Sequence, residues 1–139
     1  VKAKLPVTQF GLTAEVVDDC ARLVLAGDKR ATTSLLASYA FDREAVPVVG
    51  QRSVVHDRRH RAVATIAVTA VETRRFCDVD ATFAATEGEG DKSLTFWRSA
   101  HWEYLTHECA RVGVELSPQV ALVLEQFKVV EKHLSLDQF

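Results

Sequence analysis

Methionine is missing altogether from the 139 residues. Val1 is therefore not expected to be a translation start, and an upstream segment, a targeting signal included, is left open. Long apolar runs are missing too. None approaches the roughly 18 residues needed to cross a bilayer, so no membrane helix is expected. The opening VKAKLPVTQF lacks the pattern of a signal peptide. Cysteine is scarce: Cys20, Cys77 and Cys109 are odd in number, far apart and without a CxxC pair. That speaks against a zinc ribbon and a redox dithiol, and it points to reduced thiols in a cytoplasmic protein. Nor is there an excess of positive charge, since 17 Lys and Arg stand against 19 Asp and Glu for a net charge of −2. This argues against a strongly basic, non-specific nucleic-acid coat but leaves room for a local basic patch. No repeat, low-complexity tract or Pro/Gly linker divides the chain, and residues 1–139 are expected to form one domain.

What is present is ordinary globular material, 47% hydrophobic and 26% charged. Residues 13–26 predict a helix, with Thr13 as cap, Val16, Cys20, Leu23 and Val24 on one face, and Gly27 as stop. The following ATTSLLASYAF reads equally as strand or short helix. Residues 52–57 and 62–72, rich in Val, Ile and Thr, flank a polar RRHR segment and predict a hairpin. A short helix is expected around 79–86 and a longer one over 93–112, with Leu94, Trp97, His101, Leu105 and Val112 on one stripe. Residues 120–131 predict a last strand, buried on both faces for part of its length. Short β-runs with two main helices fit a small α+β fold.

Four stretches could carry chemistry. In Gly27-Asp28-Lys29-Arg30-Ala31-Thr32, a Lys and a Thr follow a helix stop, but the second Gly of a phosphate loop is absent and that reading is rejected. Glu87-Gly88-Glu89-Gly90-Asp91 lacks the spacing of a calcium loop. It reads either as an acidic helix start, with Asp91 or Ser93 as cap, or as a loop that presents one carboxylate into a cleft. Trp97 and His101 share the apolar face of the long helix without a second ligand, so His101 reads as a satisfied core histidine and no metal or cofactor is expected. Arg98 and Trp102 form a second i,i+4 pair able to stack on a base. Arg58, Arg59 and Arg61, at the hairpin tip, could meet phosphates or simply be solvated. No local Ser/His/Asp or Cys/His signature is present.

Taken in order, LVLAGDKRATTSL, the VG-Q-RSVV segment, ATIAVTAVE, EGEGDKSLTFWRSAHWEYL and EQFKVV resemble the ASCH domain family from about Leu23 to Val130. The resemblance implies a small PUA-like β-barrel flanked by helices, with a cleft between the two motifs and RNA or a nucleoside as partner. Some smaller, more distant members hydrolyse the acetyl amide of acetylcytidine with a Lys, a Thr and a Glu. These fall on Lys29, Thr32 and Glu89 here. Longer members are linked to ribonuclease activity. Whether Lys29 or Glu89 would be the base depends on how close they lie. The alternative is a non-catalytic RNA-binding module in which Arg30, Arg98, Arg58, Arg59 and Arg61 position phosphates and Trp102 or Tyr39 stacks a base.

Overall fold

The computed structural model describes residues 4–139. Strand β1 is only Val7–Thr8. Helix α1, Ala14–Ala26, starts where the Thr13 hydroxyl accepts from Val16 N and stops at Gly27 in the left-handed conformation, as its sequence predicts. Its buried face is Val17, Cys20, Ala21, Val24 and Leu25, so the apolar stripe is turned from the expected one and Val16 lies outside it. The ambiguous segment is both things in turn: strand β2, Ala31–Leu35, runs straight into helix α2, Leu36–Asp42. The predicted hairpin is β3, Arg52–His56, and β4, Ala62–Arg75. Helix α3 is Ala81–Glu87, α4 is Leu94–Val112, and β5 is Ala121–Lys132. Leu122, Val123 and Leu124 are buried in succession, as expected of a strand covered on both faces.

The five strands form one sheet in the order β1-β3-β4-β5-β2, antiparallel except for the β1–β3 pair. The expected α+β class holds, but the closed barrel does not. Strands β1 and β2 are free edges, each paired on one side only. Register shifts between Thr65 and Ile66 and between Val68 and Ala70 interrupt the β4–β5 ladder, and such bulges bend a sheet. Closure would require β1 to pair with β2, and a two-residue strand offers almost no ladder for it.

Two buried clusters hold the elements together. One joins α3 and α4 to the sheet through Leu35, Phe83, Trp97, Leu105, Leu122 and Leu124. The other joins α1 to the sheet through Val24, Leu25, Val55, Val63, Ile66 and Phe127. Truncating a fully buried residue such as Leu105 would cost about 2–5 kcal/mol. No helix among the described residues is long and apolar enough to cross a membrane. Cys20 and Cys109 are buried, Cys77 is exposed, and all three are free.

Candidate functional site

The end of α1 and the loop after α3 are built to meet. Past Gly27, the amides of Asp28 and Lys29 both donate to Leu23 O, at 2.9 and 3.1 Å, which turns the chain back under the helix. Arg30 N then donates to Thr86 O at 2.9 Å and stitches this turn to the last turn of α3. Gly88 ends α3 with a φ of 79°. A Cβ there would collide with the Asp28 carbonyl oxygen, so both the conformation and the close approach call for glycine. Two carboxylates, Glu87 and Glu89, are thereby carried to either side of Lys29.

Lys29 is 1% exposed, the largest of the fully buried side chains. Its Nζ donates to Ala31 O at 2.8 Å and Glu89 Oε2 at 2.9 Å, and lies 3.5 Å from Glu87 Oε1. Glu87 is the hub. Its Oε2 accepts from Thr33 Oγ1 at 2.8 Å and from Trp97 Nε1 at 2.7 Å, and its Oε1 sits 2.8 Å from His101 Nε2. His101 Nδ1 faces Trp97 O at 2.9 Å. Both ring nitrogens thus point at acceptors, an arrangement that only the doubly protonated ring fully satisfies. Cys20 Sγ donates to the other Glu89 oxygen at 3.3 Å.

The electrostatics follow from burial and partner charge together. Burial disfavours the Lys29 ammonium, but Glu87 and Glu89 outweigh it and hold the group above its ordinary value. Burial also disfavours the Glu87 carboxylate, yet Lys29 and His101 draw its pKa down to about 2. His101 is raised: burial opposes its charge and Glu87 overcomes that. The Cys20 thiol is pushed far up, by burial first and then by Glu89, which leaves it inert as a nucleophile. Of the two acids, Glu87 is 3% exposed and fully engaged, whereas Glu89 is 25% exposed.

Lys29, Glu89 and His101 open onto a cavity of about 360 Å³. One wall comes from five consecutive residues, Gln9 to Thr13, and another from Ala100, Glu103 and Tyr104 on α4. The Phe10 ring stacks on Phe127 at 5.7 Å, and the Lys29 ammonium lies 5.1 Å from its centroid. Thr32 and Thr33 also line the cavity. Thr33 is spent on Glu87, while Thr32 is half-buried, with no hydrogen bond to its hydroxyl among the described residues. Among the described residues, no three His, Cys, Asp or Glu are grouped to hold a metal ion.

Lys29, Thr32 and Glu89, separated by up to 60 residues, therefore line one cavity. Tyr39 lies on a recess next to it. The remaining candidates line neither space. Arg30 is exposed. Arg98 is exposed on α4, and Trp102 meets Phe76 in an edge-to-face arrangement with ring centroids 5.2 Å apart. At the hairpin tip, Arg58 lies 3.5 Å from Asp18 and Arg61 2.7 Å from the buried Asp57, with Arg59 exposed beside them. His101 is satisfied on both nitrogens, as its place on the apolar stripe suggests. Glu87 and Thr33 were missed by the sequence reading. The available signal was the pair on α4, because an indole N–H and an imidazole on an apolar face both need a buried acceptor.

A family model described as the ASCH domain matches residues 6–131. The chain is similar to the crystal structure of an ASCH domain from Lactobacillus crispatus JV V101. The identity is 38% and the TM-score 0.88, over 92% of this chain and 80% of that one. It is also similar to a protein of family DUF984 from Enterococcus faecalis V583, with 29% identity and a TM-score of 0.85 over 96% and 81% of the two chains. An ASCH structure from Zymomonas mobilis shares the fold at 9% identity and a TM-score of 0.53, over 96% and 73%. No curated protein matches the sequence.

Proposed function

The chain belongs to the ASCH domain family, and from that premise we propose that the Lys29 cavity is a hydrolytic site for an acylated nucleoside. One observation carries the reading: a buried ammonium is held charged between two carboxylates at the wall of a cavity that also presents an unengaged threonine hydroxyl. With Glu89 at 2.9 Å, Lys29 stays protonated and Glu89 is the base, the branch in which the two lie close.

In the proposed reaction the Thr32 oxygen attacks the acetyl carbonyl carbon while its proton passes to Glu89. The Lys29 ammonium faces the developing oxyanion, which displaces its weakest contact, the one to Glu87. The C–N bond then breaks, and the exocyclic amine leaves with the proton from Glu89. Water attacks the Thr32 acetyl ester, releases acetate and restores the hydroxyl. Glu87, itself held by Thr33, Trp97 and His101, keeps the ammonium in place. Purified protein should convert acetylcytidine to cytidine and acetate, and Thr32→Ala should abolish this without loss of stability. A Thr32→Ala protein as active as the parent would remove the nucleophile assignment.

The second reading, a binding module without turnover, is favoured by the mutual satisfaction of the charges: every ionised group of the cluster already has a partner. Acetylcytidine recovered intact after prolonged incubation with saturating protein would select it.

A further inference from the structure

Beside the Lys29 cavity lies a second recess of about 210 Å³. Phe10 and Thr32 line both, so the two spaces adjoin at the proposed nucleophile. Every strand contributes to the recess: Thr8 from β1, Thr32 from β2, Ser53 from β3, Ile66 and Val68 from β4, Glu125 and Phe127 from β5. It therefore spans the open sheet from β1 to β2, its two edge strands.

Its chemistry is one-sided. The apolar part is a floor of Ile66, Val68 and Phe127. The polar part consists of hydroxyls, two acids and one amide: Thr8, Thr32, Tyr39, Ser53, Glu44, Glu125 and Gln51. No Lys or Arg lines it among the described residues. Glu125 stands opposite Thr32 in the β2–β5 register. It has no hydrogen-bond or ion-pair partner among the described residues, and burial alone raises its carboxyl above the ordinary value. Tyr39 shares a 2.7 Å hydrogen bond with Ser34, and its pKa is raised by burial, with Glu125 and Glu44 adding to the shift. Both acids line the recess together with the phenol.

We propose that this recess is the sugar subsite of the same site, taking the ribose of a free nucleoside whose base enters the Lys29 cavity, and that it rejects a 5′-phosphate. A ribose offers an apolar ring face to Ile66 and Val68 and hydroxyl donors to the Glu125 carboxylate. A phosphate brought to the same place meets two carboxylates and no cation, an unfavourable juxtaposition in a partly desolvated space. The subsite rests on the nucleoside reading above. It narrows the substrate class to nucleosides already freed of phosphate, so a dephosphorylating reaction must supply them.

Calorimetric titration of the full chain with cytidine and with cytidine 5′-monophosphate tests the subsite apart from turnover. Cytidine should bind at least about ten-fold more tightly, a difference of about 1.4 kcal/mol, and Glu125→Gln should narrow that gap. Glu44→Gln, at an exposed position, narrows it in the same direction and keeps the test decisive if Glu125→Gln does not fold. Preference for cytidine without any deacetylation would support the subsite and refute the hydrolase. Equal or tighter binding of the monophosphate, an unchanged gap in the folded variants, or no binding of cytidine would overturn the subsite whatever the turnover.

Discussion

Replacing Lys29 by methionine keeps an unbranched apolar stem as far as the ε position and removes the terminal ammonium, with its charge and its three donors. In the parent protein that ammonium compensates Glu87, which is 3% exposed, and Glu89, which is 25% exposed. Without it, two carboxylates remain beside an apolar stem, and Ala31 O loses its donor. Leaving one member of a buried ion cluster unpaired costs about 3–5 kcal/mol, a large part of the roughly 5–15 kcal/mol that holds a domain together. The loss should depend on pH. In the parent protein Glu87 is depressed to about 2, so its contribution is complete above the unfolded carboxylate value and disappears only as pH falls through the folded one. In Lys29→Met the largest force holding that pKa down is gone, so Glu87 takes up a proton at higher pH and the penalty shrinks as the solution is acidified. Urea unfolding followed by the fluorescence of Trp97 and Trp102, at pH 7 and pH 4.5, measures both quantities. A double variant, Lys29→Met with Glu87→Gln, should recover part of the loss at pH 7. A single variant within about 1 kcal/mol of the parent, with the same deficit at both pH values, would refute the picture of a mutually dependent buried cluster.

Glu87→Gln should lower the His101 pKa, read from its ring proton shifts. The raised value in the parent depends on Glu87, and it contributes stability that is complete below the unfolded histidine value and lost as pH rises through the folded one. A His101 titration unchanged by Glu87→Gln would show that the ring is held by something else. Gly88→Ala forces a side chain into a φ of 79° and against the Asp28 carbonyl. The conformation alone costs about 1–2 kcal/mol, and the displaced loop should cost activity as well; an alanine variant equal to the parent in both would contradict the close approach.

The elements with local signals were legible. Thr13 and Gly27 mark both ends of α1, Ser93 caps α4 through Phe96 N, and the β-branched run from Ala62 onward reads as the strand it is. The split of ATTSLLASYAF into β2 and α2 was not, because only the pairing with β5 decides where extension ends. Openness of the sheet was equally hidden, since it depends on how few residues β1 spends on its ladder. At the site, Lys29 and Glu89 stood out as charges without a structural need. Glu87 did not, although it binds more partners than either. Its role depends on Thr33, 54 residues away, and on helix α4, contacts that no local pattern records. The arginines stood out for their clustering, but Arg58 and Arg61 have acids of their own nearby in the fold.

The wall from Gln9 to Thr13 ties recognition to a thin attachment. This stretch is anchored by the two residues of β1, by the hydrogen bond from Gln9 Nε2 to Asp57 O at 2.8 Å, and by the seat of Phe10 on Phe127. A shortened chain beginning at Leu12 would retain both buried clusters apart from the Phe10 ring. It would lose the Phe10 ring that lines both adjoining spaces and lies 5.1 Å from the Lys29 ammonium. The scaffold and one wall of the cavity are therefore supplied by separate stretches of the polypeptide: the sheet and its helices carry the charged groups, and a short flanking ribbon closes one side over them. The sequence of that ribbon could diverge among relatives, and with it the ligand admitted, while the scaffold behind it stays the same.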